Sequence, residues 1–221
     1  NLPNCSIITI GDELITGYRT DSNSKWLASE LDLLNIRVES IISIGDDLDR
    51  IMKELENQSA KNIDYVFITG GLGPTNDDKT LESIRRFIDS SYYIDEEYMK
   101  ILNSRIKSNS KYKSMIQNQS RKINKVSYFP NPIGTALPFS FIHSNTKFFV
   151  FPGVPREFQD ICKNSIFPKF LGKNNKLKTI AIQTSGSGET ILYNKILDIQ
   201  NNYRNRMKFS FLPRYSGVTI R

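Results

Sequence analysis

Short apolar runs alternate with amphipathic stretches along most of the chain. Runs rich in Ile, Val and Phe, which predict buried strands, occupy residues 6–10, 38–44, 65–68 and 147–151. Apolar side chains recur at helical spacing after the first three runs, at Leu27, Leu31 and Leu34, at Ile51, Met52 and Leu55, and at Leu81, Ile84 and Ile88. This alternation of strands and helices predicts a parallel sheet with helices on both of its faces.

The second half of the chain is patterned differently. Residues 95–126 are polar and rich in Lys and Asn, and we predict two helical pieces there. Residues 172–176 form a polar stretch that predicts a linker. After it we predict a strand at residues 179–184 and a helix from about Glu189. A hairpin should follow, with strands at residues 209–212 and 218–221 and a turn at residues 213–217. The chain is therefore expected to hold two domains, residues 1–172 and a small, incomplete α+β domain of residues 173–221.

The sequence Gly-Gly-Leu-Gly-Pro-Thr at residues 70–75 follows the third predicted strand and precedes a predicted helix. Glycine allows positive φ and close approach of a ligand to the backbone. A glycine loop before a helix presents free N–H groups to an anion, so we predict a phosphate site at Gly70, Gly71, Gly73 and Thr75. The loop lacks the lysine of a P-loop and the spacing of a dinucleotide motif.

Acidic residues follow three of the predicted strands. They are Asp12 and Glu13, Asp46 and Asp47, and Asp77 and Asp78. Because ligands bind beyond the carboxyl ends of parallel strands, we expect these carboxylates to meet at one edge of the sheet. Oxygen ligands of this kind suit a hard divalent cation, and the predicted metal ligands are Asp12, Glu13, Asp46 and Asp78.

Three residues at this edge have two interpretations each. Asp78 binds metal or forms a capping box with Thr75 that serves only the following helix. Asp77 orients water or caps the same helix. Arg156 and Glu157, which follow the strand at residues 147–151, are predicted to bind the substrate, with Arg156 as a phosphate clamp. Alternatively, Arg156 forms a structural ion pair with Glu157 or another acid.

Composition excludes several classes of protein. The chain has two cysteines and one histidine, which is too few for a disulfide framework or a histidine-rich metal site. Cys5 and Cys162 are predicted to be buried, His143 to be structural, and the protein to be cytoplasmic. No apolar run approaches the length of a membrane span. The net charge of +7 is spread along the chain, so a nucleic-acid partner is disfavoured and a small anionic substrate is expected.

The chain resembles the competence/damage-inducible CinA family over residues 6–170. The shared motifs include Gly-Asp-Glu-Leu at residues 11–14, Asp21-x-Asn23, Gly-Asp-Asp at residues 45–47, the glycine loop followed by Asp77, Asp78 and Thr80, Asn-Pro-x-Gly-Thr-Ala at residues 131–136 and Pro-Gly-Val-Pro-x-Glu at residues 152–157. The same unit is similar to the molybdopterin-binding fold of MogA and MoaB. Residues 178–221 are similar to the KH-like second domain of CinA.

The resemblance implies a three-layer α/β/α domain followed by a partial KH-like domain. It also implies hydrolysis of ADP-ribose to AMP and ribose 5-phosphate with a divalent metal (Mg²⁺, Mn²⁺ or Co²⁺) and K⁺, and a homodimer or homotrimer. The catalytic residues would be Asp46, Asp78 and Asp77. In the molybdopterin relatives, the aspartates at the positions of Asp46 and Asp78 serve adenylylation of molybdopterin.

Two alternatives to hydrolysis follow from the same residues. The domain binds a pterin or nucleotide as a transferase or without catalysis, or the KH-like segment binds RNA. The segment lacks a Gly-x-x-Gly loop with basic neighbours, since residues 186–188 are followed by Glu189, and this disfavours RNA clamping. The chain departs from CinA at residues 137–139, where Leu-Pro-Phe replaces small residues. We also expect no counterpart of the nicotinamide mononucleotide deamidase domain that full-length CinA usually carries.

Overall fold

The computed structural model describes residues 2–75, 77–106, 112–171 and 180–221. The chain divides into two compact units, residues 1–176 and 177–221. The predicted linker at residues 172–176 and the predicted boundary after residue 172 lie outside the described residues. That boundary therefore stays a prediction.

The first unit is built around a six-stranded sheet. Its elements are β1 (Asn4–Ile10), α1 (Asp12–Ile15), α2 (Ser22–Leu33), β2 (Arg37–Ile44), α3 (Leu48–Ala60), β3 (Tyr65–Thr69), α4 (Thr80–Phe87), β4 (Tyr92–Ile94), α5 (Glu96–Arg105), α6 (Lys113–Gln119), β5 (Arg121–Ile123), β6 (Ser127–Tyr128), β7 (Phe139–His143), β8 (Thr146–Phe151) and α7 (Pro155–Ile161), which continues as a π-helix over Cys162–Leu171. The strand order is β2-β1-β3-β8-β7-β6. The first four are parallel, and β7 and β6 are antiparallel additions at one edge.

Two apolar clusters cover the two faces of the sheet. On one face, Leu27 of α2 and Phe158 of α7 pack with Phe67 of β3. On the other face, Ile51 of α3 and Ile84 of α4 belong to one cluster with the strand side chains that point to that face. The predicted three-layer α/β/α architecture is confirmed, because the apolar stripe of each helix buries against the alternating side chains of the strands.

Two local predictions in this unit need correction. Residues 121–123 are a strand, β5, paired antiparallel with β4, whereas residues 95–126 were expected to be helical in two pieces. A strand of three residues is too short to show a periodic pattern, so its pairing depends on tertiary contacts. The sequence also offers Ser22 and Ser24 as caps of α2, but the side chain that caps this helix is Asp21, which accepts from Ser24 N–H at 3.0 Å.

The second unit is a small α+β structure. It comprises β9 (Ile182–Thr184), α8 (Glu189–Lys195), α9 (Leu197–Tyr203), β10 (Phe211–Arg214) and β11 (Gly217–Ile220). The strands form an antiparallel sheet in the order β10-β11-β9, which confirms the predicted hairpin. Its turn is shorter than expected, because Pro213 already pairs with Val218. In neither unit do the described residues form a helix long and apolar enough to cross a membrane.

Candidate active site

Two carboxylates lie side by side where β1 and β2 end. The strands are neighbours and run parallel, with Ile10 opposite Ile44. The next residues therefore meet at the same edge of the sheet. Asp12 N–H donates to Asp46 Oδ2 at 3.1 Å, and Asp46 N–H donates to Asp12 Oδ1 at 3.1 Å. This reciprocal pair of hydrogen bonds fixes both side chains, and the structure brings these two predicted ligands together.

The electrostatic surroundings of Asp46 are unfavourable for its charge. Burial raises the pKa of this half-buried carboxyl, and the negative charges of Asp12, Asp78 and Glu13 raise it further, while the hydrogen bond from Asp12 N–H acts in the opposite direction. None of the ion pairs between described residues includes any of these four acids. The three strand ends thus contribute negative charges that no ion pair between described residues neutralises.

The first half of the glycine loop lies against this region. Gly70 and Gly71 have φ of +111° and +65°, conformations that glycine adopts without strain. Gly70 N–H donates to Phe151 O at 3.1 Å, and Thr80 holds both glycine carbonyls, with Oγ1 on Gly70 O at 2.9 Å and N–H on Gly71 O at 3.2 Å. A Cβ on Gly71 would lie 3.2 Å from Asp46 Oδ1. The loop backbone therefore approaches the carboxylate directly.

The second half of the loop is closed by Asp78. Its Oδ1 accepts from Gly73 N–H at 2.8 Å, and its Oδ2 accepts from Thr75 N–H at 3.0 Å and Thr75 Oγ1 at 2.6 Å. Helix α4 begins only at Thr80, with Lys79 at the N-cap and no side-chain cap. The capping-box interpretation is therefore wrong for the helix. Gly73 and Thr75, predicted to donate to a phosphate, already donate to this carboxylate.

The donor set suits a divalent cation, although the side chains do not form a complete metal site as they stand. Asp12 and Asp46 offer carboxylate oxygens, which hard cations prefer, and no cationic side chain of the described residues pairs with them. No three Asp, Glu, His or Cys side chains within the described ranges are close enough to hold a metal ion. Both oxygens of Asp78 are turned into its own loop. The predicted metal ligands stay a prediction.

The remaining predicted site residues are Asp77, Arg156 and Glu157, and no described hydrogen bond joins them to Asp12 or Asp46. Asp77 is exposed, and no described residue donates a hydrogen bond to it. Glu157 accepts from Asn131 Nδ2 at 2.7 Å, so it supports the loop at residues 131–136. The described residues show no ion pair between the exposed Arg156 and Glu157. No described hydrogen bond joins Arg156 or Glu157 to the glycine loop, and the phosphate clamp stays a prediction.

Asn23 is a structural residue of the site that the pattern analysis did not place there. Its side chain is 8% exposed, and its Nδ2 donates to Thr69 Oγ1 at 3.1 Å and Gly153 O at 2.9 Å. Gly153 in turn approaches Gly70, because a Cβ on Gly153 would lie 3.3 Å from Gly70 Cα. Asn23, Thr69 and Gly153 border a cavity of about 90 Å³ that Glu13 also lines. The Asp21-x-Asn23 motif was the only sequence signal for this role.

Helix α6 holds the glycine loop from the other side. Gln119 Nε2 donates to Leu72 O and Asn118 Nδ2 donates to Pro74 O, each at 3.2 Å. Amide side chains on a polar helix carry no pattern that distinguishes such a contact from solvent exposure. Sequence alone could not have found these two residues.

A three-layer α/β/α domain with a glycine loop and acidic residues at the carboxyl edge of a parallel sheet is a ligand-binding domain of the open α/β class. The family model described as "Probable molybdopterin binding domain" matches residues 6–171. The chain therefore belongs to this molybdopterin-binding domain family.

Curated relatives extend the similarity to the second unit. A CinA-like protein of Flavobacterium psychrophilum is 32% identical over 220 residues, which cover 98% of this chain and 52% of that protein. A CinA-like protein of Thermosipho melanesiensis is 33% identical over 217 residues, covering 97% of this chain and 53% of that protein. The resemblance to CinA is confirmed, and the chain spans about half the length of the curated relatives it matches.

Solved structures show the same fold. The CinA protein of Thermoplasma acidophilum, described as having unknown function, matches with a TM-score of 0.66 and 26% identity over 73% of this chain and 95% of that chain. The molybdopterin biosynthesis enzyme MoaB of Thermus thermophilus matches with a TM-score of 0.52 and 15% identity over 76% of this chain and 92% of its own. At that identity, the second match shows the fold alone.

Proposed function

We propose that this chain is a divalent-cation-dependent nucleotide pyrophosphatase that hydrolyses ADP-ribose to AMP and ribose 5-phosphate. The observation that supports it is the setting of Asp46. This carboxylate lies against Gly71 and shares a region of uncompensated charge with Asp12, Asp78 and Glu13. Acids with a perturbed pKa beside a backbone cradle are typical of functional sites. A cation would complement the carboxylates, and an anionic substrate would complement the backbone cradle.

The reaction adds water across the phosphoanhydride bond. The oxygen of water bonds to one phosphorus, the bridging P–O bond breaks, and the bridging oxygen leaves with the other phosphate, while the two protons of water are shared between products and solvent. Asp46 and Asp12 would hold the cation, which neutralises phosphate charge and acidifies water. The Gly71 N–H, which donates to no described residue, would hold a phosphate oxygen.

The proposal is tested by AMP release from ADP-ribose with Mg²⁺, Mn²⁺ or Co²⁺, each with and without K⁺. Excess chelator should abolish release, and a stoichiometric amount of ribose 5-phosphate should accompany AMP. FAD and NAD serve as comparison substrates with the same adenylate half. Absence of AMP release with every cation, from protein shown to be folded, would contradict the proposal.

The alternative function is a molybdopterin- or nucleotide-binding module that acts as an adenylyltransferase or without catalysis. The family match over residues 6–171 favours it, as does the presence of aspartates at both positions that the resemblance relates to adenylylation, Asp46 and Asp78. Titration of the protein with molybdopterin, followed by tryptophan fluorescence of Trp26, separates the two functions. Tight pterin binding without AMP release would favour the alternative.

A further inference from the structure

The cavity that Asn23 lines has room for a bound group. Its volume is about 90 Å³, and liquid water takes about 30 Å³ per molecule, so the cavity exceeds what one water requires. Among its lining residues, Thr9, Asn23 and Thr69 are buried at the ends of β1 and β3 and the start of α2, whereas Arg19 is exposed. The cavity therefore joins a buried polar wall to an exposed cation.

One polar atom of the buried wall has no partner. Asn23 is 8% exposed, and its Oδ1 is buried and accepts no hydrogen bond from the described residues. The neighbours of the amide fix its orientation. Thr69 Oγ1 donates its hydrogen to Pro152 O at 2.9 Å, so it can only accept from Asn23, and Gly153 O is also an acceptor. The amide nitrogen must face both of them, and the unpaired atom is therefore the oxygen.

The unpaired oxygen indicates what the cavity binds. Native proteins leave few buried acceptors without a donor, because each one destabilises the fold. Since Asn23 lines the cavity, a ligand hydroxyl bound there can supply the missing donor. The carboxylate of Glu13, in the same lining, offers further acceptor oxygens. Arg19 enters no ion pair between described residues, and its guanidinium suits a phosphate.

We propose that this cavity binds the ribose 5-phosphate half of ADP-ribose. In this arrangement, Asn23 Oδ1 accepts a hydrogen bond from one of the two vicinal ring hydroxyls, and the guanidinium of Arg19 pairs with the adjoining phosphate. The inference rests on the proposed function, which supplies the identity of the sugar. Gly153 connects the cavity to the glycine loop, because a Cβ on Gly153 would lie 3.3 Å from Gly70 Cα. Asn23 would then determine specificity for a hydroxylated sugar.

The experiment is a double-mutant cycle between a ligand hydroxyl and the Asn23 side chain. Dissociation constants of ribose 5-phosphate and of its 2-deoxy and 3-deoxy analogues are measured by NMR titration in chelator, for wild type and Asn23→Ala. Wild type should bind at least one deoxy analogue about 10-fold more weakly than ribose 5-phosphate, because the buried acceptor is then left unpaired. This preference should disappear in Asn23→Ala.

The cycle separates binding from structural support. If Asn23 only held Thr69 and Gly153 in place, its substitution would weaken all three ligands equally and the preference for the hydroxyl would persist, which would overturn the proposal. Asn23→Ser provides the same comparison if the alanine variant fails to fold. Its hydroxyl can still donate to Thr69 or Gly153, but it lacks the amide oxygen.

The role of Arg19 is tested with a matched loss of charge. Arg19→Ala should weaken ribose 5-phosphate binding about 10-fold, because a charge-assisted pair is lost. Lys25 is an exposed cation of α2 that does not line the cavity. Lys25→Ala should change the affinity by less than about twofold, because solvent and salt screen a charge that does not contact the ligand. Equal losses in both variants would overturn the pairing with phosphate.

The wild type alone can also contradict the proposal. Equal affinities for the three ligands, or no binding of ribose 5-phosphate, would show that water alone satisfies Asn23 Oδ1. None of these titrations requires a cation or turnover. Absence of AMP release with an intact hydroxyl preference would therefore contradict only the proposed function. AMP release without that preference would contradict only this inference.

Discussion

Two acidic side chains of the first unit, Glu82 and Asp46, have opposite environments. Glu82 accepts from Arg85 Nε at 2.8 Å, from Arg86 Nε at 2.6 Å and from Tyr92 Oη at 2.7 Å. The hydrogen bond from Arg85 is the main reason that its pKa falls to about 2. Asp46, in contrast, is partly buried among other acids, and its pKa is raised. One carboxylate is neutralised within the fold, and the other is not.

Glu82 has structural partners for its charge, whereas Asp46 is the acid that the proposed function uses. A folded protein that keeps an uncompensated carboxylate gives up stability at neutral pH, and such sites concentrate where ligands bind. The Glu82 cluster joins α4 to β4 through Tyr92 and needs no ligand. On the proposed function, a cation or an anionic ligand carrying one would complete the region around Asp46. Substitution of each acid by its amide tests this distinction.

Asp46→Asn should have the largest effect. We expect AMP release to fall by more than about 100-fold, because even outer-shell partners of metal ligands cost about 10- to 100-fold when removed. The first unit should become more stable, with Tm rising by about 2 °C in chelator, since the amide keeps an oxygen for Asp12 N–H and loses the repulsion. Steady-state AMP release and thermal melts of the same preparation measure both.

The opposite pattern would refute this comparison. A variant that melts earlier and retains its specific activity would show that Asp46 is a structural acid like Glu82. Circular dichroism spectra of wild type and variant at neutral pH control for gross misfolding.

Much of the fold was predictable because its signals are local. The runs that became β1, β2, β3 and β8 are apolar and short, and the helices between them carry clear apolar stripes. The strands β4 to β7 carry weaker signals because they are short or lie at the antiparallel edge. Their pairing depends on contacts between distant parts of the chain.

The site was predictable only in part, for a similar reason. Strand ends and a glycine loop locate Asp12, Asp46 and Gly71, because topology alone places them at one edge. The partner of a side chain is not a local property. Spacing could not show that Asp78 turns into its own loop, or that Gln119 holds Leu72 O from α6.

Gly71→Ala tests the loop beside Asp46. Gly71 has φ of +65°, and a Cβ there would collide with Thr80 Oγ1 and would lie 3.1 Å from Thr80 Cβ and 3.2 Å from Asp46 Oδ1. Gly17, with φ of +73° and no neighbour within 4 Å, provides the matched control. Both alanines should cost about 1 kcal/mol in backbone strain, and Gly71→Ala should cost more, because its Cβ also collides with Thr80 Oγ1. Only Gly71→Ala should also weaken pyrophosphate binding, by about 10-fold.

These two variants are compared by thermal melts and by titration with pyrophosphate in Mg²⁺. Equal affinities for Gly71→Ala and Gly17→Ala would show that the backbone at residue 71 does not contact the anion. A loss shared by both variants would instead point to a general effect of destabilisation.

Glu82→Gln should affect stability and not turnover. The amide keeps the shape of the side chain and loses the charge that Arg85 and Arg86 share. We expect the free energy of unfolding of the first unit to fall by about 1 kcal/mol. The loss is modest because solvent screens an ion pair whose glutamate is 24% exposed. This corresponds to a fall in Tm of about 2–4 °C. AMP release should remain within about twofold of wild type. A large loss of turnover with unchanged Tm would place Glu82 in the site.

The smallest expected effect concerns pH. The stability differences of Asp46→Asn and Glu82→Gln from wild type should disappear in a fixed order on acidification. Glu82 has a lowered pKa, so its contribution is present above its unfolded value of 4.5 and is lost as the pH falls through about 2. Asp46 has a raised pKa, so its penalty is present above the folded value and vanishes as the pH falls to its unfolded value of 3.8. Thermal melts in chelator between pH 7 and pH 3 should therefore show Asp46→Asn losing its advantage over wild type first. The deficit of Glu82→Gln should persist to lower pH and close only below about pH 4, because most of its titration lies there. If both differences close together, or if the advantage of Asp46→Asn grows on acidification, the two acids do not differ in the way that the structure indicates.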